Sequence, residues 1–169
     1  LSARLALCYT GAPRQSGINN WDITKRRIDG DQAVAAAFDA IVETTTSMRA
    51  ALEAGDWARA GASLADEWMT RKRLAPGVTT PTIDALLDSA RAAGAWGGKV
   101  CGAGGGGCLF GLAPPERVVA IGEAWRAAGA QVLDLPGRTV IPGLVMVHEH
   151  LYYPVGPGVY GNLTESFVR

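Results

Sequence analysis

Between Gly97 and Cys108 the chain reads Gly-Gly-Lys-Val-Cys-Gly-Ala-Gly-Gly-Gly-Gly-Cys, so seven of twelve consecutive residues carry no side chain. Inside a regular element each glycine costs roughly 0.5–1 kcal/mol relative to alanine, and a run of them needs a physical reason. Two reasons are open from the residues alone. A bare backbone can bring its N–H groups up to a phosphate, or it can let two chain segments pack closely at a tight turn between strands.

The rest of the composition narrows what such a loop could serve. A chain of 169 residues, 48% of them apolar, suits one domain or a domain plus a piece of another. Sixteen basic residues balance sixteen acidic ones, which leaves no electrostatic footprint for nucleic acid or an anionic membrane surface. The expected partners are therefore small molecules or other proteins. Cys8, Cys101 and Cys108 form no CxxC pair and are odd in number, which points to a reducing, cytoplasmic setting. No apolar run approaches the roughly 18 residues of a membrane helix, and no signal peptide opens the sequence. The chain starts at Leu1 directly in a strand-like run, and reads as a fragment whose upstream part is missing or was removed by processing.

Hydrophobic periodicity places the glycine run in an order of elements. Ala6–Thr10 is a short apolar strand entering the turn Gly11-Ala12-Pro13, and the polar stretch from Arg14 to Asp31 shows no clean period. From Gln32 the positions Val34, Phe38, Ile41, Thr45, Met48 and Leu52 recur by fours and threes, which predicts a long helix ending at Gly55. Asp56 is a good N-cap for a second helix carrying Trp57, Ala60, Leu64 and Trp68 on one side, with Arg71-Lys72-Arg73 in its last turn. Thr80-Pro81 reads as N-cap and first residue of a third, with Ile83, Leu86, Leu87 and Ala90 as its stripe and Gly94 closing it. Strands should flank the glycine run, one of them Cys108–Leu112. Pro114-Pro115 opens a helix with Val118, Ile121, Trp125 and Ala128, and Gln131–Asp134 forms a last strand. This order predicts an α+β domain, a mainly antiparallel sheet with helices packed on one face, complete by about Asp134. Trp57, Trp68 and Trp125 should be core, and Cys101 and Cys108 small buried residues.

The glycine run is not a P-loop, because no Gly-Lys-Ser/Thr follows four spacers after a first glycine and the run leads into a strand. Gly102-x-Gly104-x-x-Gly107 has dinucleotide spacing but lacks the helix that would receive a pyrophosphate. Its wider context is more specific. Gly97-Gly98-Lys99-x-x-Gly102-Ala103-Gly104-Gly105-Gly106-Gly107-Cys108 resembles the third motif of the GHMP kinases, and Tyr9-Thr10-Gly11-x-x-Arg14-x-Ser16-Gly17, Glu67-Trp68, Lys72, Ile83-Asp84 and Gly94-Ala95 precede it in the order expected for the heptose 7-phosphate kinase branch. The resemblance runs from about Arg4 to Asp134.

It implies a ferredoxin-like C-terminal domain and phosphoryl transfer from ATP, with Mg²⁺, to a hydroxyl of a sugar or sugar phosphate. In that family the main phosphate loop and the catalytic aspartate sit in an N-terminal domain, which is not in this chain. The resemblance therefore implies no catalytic residue here and a chain inactive by itself. Gly102, Ala103, Gly104, Gly105, Gly106 and Gly107 would line the phosphate end of the nucleotide site. Lys99 is either a charged phosphate partner or a solvated strand-edge lysine. Arg14 and Ser16 either contact the sugar phosphate or belong to an exposed turn.

A second signal lies beyond Asp134. His148 and His150, the two histidines of the chain, fall at i and i+2, a spacing that lets both bind one ion from a strand. With Gly137-x-Thr139-Val140-Ile141-Pro142-Gly143-Leu144 before them they resemble the first barrel strand of the amidohydrolases, whose hydrolytic Zn²⁺ or similar metal needs further ligands from later strands. The pair is either an incomplete metal site or an unfinished element without function. The expected division is thus 1–134, a GHMP kinase C-terminal domain, and 135–169, an incomplete amidohydrolase-like segment. The two meet near Val132–Pro136 without a linker, as in a fused or misassembled reading frame. Two other readings stay open: the start of a metal-dependent amidohydrolase carrying a kinase-like passenger, and a non-catalytic interaction module.

Overall fold

A computed structural model describes residues 1–13 and 17–132. Four strands, β1 (Leu5–Tyr9), β2 (Gly97–Val100), β3 (Cys108–Leu112) and β4 (Gln131–Val132), form one sheet in the order β2-β3-β1-β4, with every neighbouring pair antiparallel. The helices are α1 (Gly17–Ile28), α2 (Gln32–Glu53), α3 (Trp57–Arg71), α4 (Pro81–Ala92) and α5 (Val118–Ala127), the last preceded by a 3₁₀ turn at Pro115–Arg117. With α4 and α5 as crossovers, β1, β2, β3 and β4 trace the ferredoxin-like split βαβ pattern.

The helix starts follow their capping chemistry. Asp31 accepts from the N–H groups of Ala33 and Val34, Asp56 from that of Arg59, and Thr80 from that of Ile83, each satisfying donors that a first turn leaves without partners. Pro81 then sits in the first turn of α4, where its missing N–H costs nothing.

The α+β class and the antiparallel sheet are as expected, but the helices occupy both faces of the sheet. Strand β1 is apolar at nearly every position, so each of its two faces has something to bury. On one face Ala6, Cys8, Val100 and Leu109 pack with Ile83, Leu86 and Ala90 of α4 and Ile121 and Trp125 of α5. On the other, Leu5, Phe110 and Leu112 pack with Met48 and Ala51 of α2 and Ala60 and Leu64 of α3. In the first core Trp125 is fully buried, with its indole N–H donating to the Leu86 carbonyl at 2.8 Å. The second is partial, and Leu7, Tyr9 and Phe110 stay half-buried.

Helix α1 has no counterpart in the periodicity. Among its described side chains Ile23 packs against the core, while Trp21 and Ile28 are 68% and 76% exposed. Arg26 anchors the helix by a side-chain bond instead, donating to the Leu74 carbonyl at 2.9 Å and to Asp31, the N-cap of α2, at 2.9 Å. Trp68 and Trp125 are core as expected, whereas Trp57 is half-buried with the Arg4 guanidinium 5.2 Å above its ring. Cys101 corrects the expectation of a buried thiol: it is exposed, and Cys108 is half-buried, because both lie at the open end of the β2–β3 hairpin.

Candidate functional site

The loop between β2 and β3 is held by neighbours on two sides. The Gly105 N–H donates to the Val78 carbonyl at 2.9 Å, the Gly107 N–H donates to that of Ala12 at 2.8 Å, and the Thr10 N–H donates to the Gly107 carbonyl at 2.9 Å. The glycine run is thus wedged between the turn after β1 and the turn before α4. Gly102, Gly104, Gly105, Gly106 and Gly107 all have positive φ. At Gly104 the constraint is steric as well, since a Cβ would stand 2.2 Å from the Val78 carbonyl oxygen. Close packing is thus one reason for the bare backbone, and it fixes the loop. The N–H groups of Gly102, Ala103, Gly104 and Gly106 carry no hydrogen bond to the described residues. Peptide N–H groups left unpaired in a glycine turn suit the oxygens of an anion.

Charge beside the loop is organised by Glu67. Its Oε2 takes the Lys99 ammonium and its Oε1 takes Arg71 at 2.5 Å, which ties α3 to the edge strand β2. The carboxylate and the Lys99 head are only 11% and 17% exposed. Burial pushes the Glu67 carboxyl up, but the hydrogen bonds from Arg71 and Lys99 outweigh it and hold the group below the ordinary glutamate range. Two cations against one carboxylate leave the cluster with one net positive charge at the start of the glycine loop. On the turn before α4, Thr79 donates to Asp84 at 3.0 Å, and Lys72 approaches the same oxygen at 3.5 Å.

Lys99 is neither a solvated lysine nor a bare phosphate ligand: its ammonium is spoken for by Glu67. The sequence named Glu67 and Lys72 only as parts of a motif, because a pairing across 32 residues is set by how α3 crosses β2. Backbone shape makes that crossing close, for a Cβ on Gly97 would stand 1.9 Å from the Gly61 carbonyl oxygen. An open groove of about 340 Å³ between α1, α2 and the end of α3, lined by Arg26, Val34, Ala37 and Arg73, shares no residue with the loop. Arg14, Ser16, His148 and His150 lie outside the described residues, as does the segment 135–169. Among the described residues no three His, Cys, Asp or Glu side chains are grouped to hold a metal ion, and no helix is long and apolar enough to cross a membrane.

Similarity to known proteins converges on one family. The family model described as GHMP kinases C terminal matches residues 48–131. The D-glycero-alpha-D-manno-heptose 7-phosphate kinase of Campylobacter jejuni is 27% identical over 134 residues, covering 79% of this chain and 39% of that enzyme. The mevalonate kinase of Pyrococcus furiosus is 52% identical over 54 residues, 31% of this chain and 16% of its own length. The structure of Streptococcus pneumoniae phosphomevalonate kinase in complex with phosphomevalonate and AMPPNP superposes with a TM-score of 0.65 at 20% identity, covering 77% of this chain and 38% of that one. In each case the chain spans well under half of the relative. The amidohydrolase resemblance of the C-terminal segment gains no support from these comparisons. The matched family model supports a GHMP kinase C-terminal domain over residues 48–131, and the fold agrees with it.

Proposed function

We propose that this chain is the C-terminal part of an ATP-dependent kinase that transfers phosphate to a hydroxyl of a sugar or sugar phosphate. The observation that carries the proposal is the glycine loop: four N–H groups without an acceptor among the described residues, on a backbone pinned by Val78 and Ala12, beside a cluster with one surplus positive charge. Preorganised donors and a nearby cation are what phosphoryl transfer needs at the phosphate end of a nucleotide. A homologous fold was solved with AMPPNP, an ATP analogue, which supports ATP as the phosphate donor. Gly102, Ala103, Gly104 and Gly106 would donate to phosphate oxygens, Gly105 and Gly107 would hold the loop, and Lys99 would act through the field of its cluster. Mg²⁺ bound with the nucleotide would supply charge neutralisation at the transferring phosphate, with no ligand assigned to it among the described residues.

A sugar phosphate is favoured as acceptor because the alignment with the heptose 7-phosphate kinase runs through 79% of the chain, whereas the higher identity to the mevalonate kinase is confined to 31%. Arg14 and Ser16, which follow β1 in the sequence, are the proposed acceptor contacts. No catalytic group is assigned within the chain, so residues 1–134 would act as half of a site completed by an N-terminal kinase domain.

The test is amide chemical-shift mapping of the chain titrated with Mg²⁺-AMPPNP. The expected result is a weak interaction whose shifts centre on Gly102, Ala103, Gly104 and Gly106. Absence of any shift in the loop at millimolar nucleotide, or shifts centred elsewhere, would overturn the phosphate role. Turnover of ATP with heptose 7-phosphate by the chain alone, at the rate of a full-length relative, would overturn its incompleteness.

A further inference from the structure

The three thiols of the chain are divided by the sheet. Cys8 points into the core shared with α4 and α5, is fully buried, and its thiol is pushed up to about 12 by burial and by its two neighbours. Cys101 and Cys108 lie on the opposite face. The β2–β3 register runs Gly97↔Leu112 through Val100↔Leu109, so its next step sets Cys101 directly across from Cys108. The Cys101 N–H donates to the Cys108 carbonyl at 2.8 Å and confirms the step. Directly opposed residues at such a hydrogen-bonded position stand about 5.5 Å apart at Cα, with side chains on one face. A disulfide accepts about 4.4–6.8 Å at Cα and about 3.5–4.5 Å at Cβ, against up to about 5.5 Å at Cβ for such a pair, so forming the bond draws the two strand ends together. Cys101 is exposed and Cys108 half-buried, so a small oxidant can reach the pair.

We propose that Cys101 and Cys108 form a reversible dithiol–disulfide couple that staples the base of the glycine loop. With hydrogen peroxide as oxidant, the accessible Cys101 thiolate attacks a peroxide oxygen, giving the sulfenic acid at Cys101 and releasing water once the leaving hydroxide is protonated. The Cys108 sulfur then attacks the Cys101 sulfur and expels a second water. Two thiols lose two electrons and two protons, and one peroxide becomes two waters. Partial desolvation of the Cys101 sulfur and the neighbouring Cys108 push its thiol up, with Lys99 pulling the other way, so the thiolate is scarce at neutral pH and the reaction accelerates as pH rises. In a reducing compartment such a pair rests as the dithiol and responds to oxidant, the usual role of intracellular disulfides. The couple is independent of what the loop binds.

The experiment is peptide mapping of the full chain after hydrogen peroxide, with and without later dithiothreitol, alongside hydrogen exchange of the loop amides. The expected product is one intramolecular Cys101–Cys108 cross-link, lighter by two hydrogen atoms and reversed by dithiothreitol. Exchange at Gly105 and Gly107 should slow about tenfold in the oxidised chain. Cys101→Ser and Cys108→Ser should each abolish the cross-link and leave the remaining thiol to overoxidise, while near-native circular dichroism confirms that they fold. Cross-links through Cys8, intermolecular dimers as the main product, or overoxidation of Cys101 without a cross-link would overturn the couple. A Cys101–Cys108 bond that leaves loop exchange unchanged would overturn the staple.

Discussion

Gly104 and Gly30 separate two uses of glycine that look alike in sequence. Both have positive φ, +93° and +85°, but a Cβ on Gly104 meets the Val78 carbonyl oxygen at 2.2 Å, while one on Gly30 meets nothing within 4 Å. Gly104→Ala should therefore destabilise by about 2–4 kcal/mol, the left-handed backbone and the overpacking adding together. Gly30→Ala should lose about 1 kcal/mol, from the backbone alone. Urea unfolding of both variants measures the difference, and equal losses would show that the wedge against Val78 does not bear on stability. The sequence made the glycine run legible as a special backbone because no helix or strand accommodates it cheaply. Which glycine is pinned and which donors remain free depends on Val78 and Ala12, which belong to other turns. The same holds for Lys99, whose acceptor lies on α3.

At the scale of elements, α3, α4 and β3 were legible because their signals are local. A capping side chain reaches its N–H groups within three residues, as Thr80 reaches Ile83, and an apolar stripe repeats every turn. Thr80→Ala should cost about 1 kcal/mol and fray the start of α4, visible as faster exchange of the Ile83 amide while α5 keeps its protection. Helix α1 was not legible, because its described anchors are Arg26 bonded to Leu74 and Asp31 and the core contact of Ile23. Placement of helices on two faces escaped the pattern for a related reason. An apolar strand says that both its faces are covered but does not say by which helix.

For the whole molecule, the Glu67 cluster links stability to pH. Its carboxyl is held below the ordinary glutamate value in the folded chain, so on lowering the pH the unfolded chain takes up this proton first. The stabilisation is complete above the ordinary glutamate range and is lost as pH falls through the depressed folded-state value. Glu67→Gln should lower stability at neutral pH, where it leaves Lys99 and Arg71 without their carboxylate, and should flatten the acid limb of the unfolding profile. A variant with the same acid slope as the parent would show that other carboxylates govern that limb. The sequence by itself determined the antiparallel α+β class, four helix starts and a loop that had to be backbone-bare, since each follows from chemistry within a few residues. The tertiary fold set the rest: the loop is wedged between two turns with four donors lacking an acceptor among the described residues, Lys99 answers to Glu67, and Cys101 stands across the hairpin from Cys108. These are meetings of residues far apart in the chain or fixed by strand register, and local chemistry does not encode the path that brings them together.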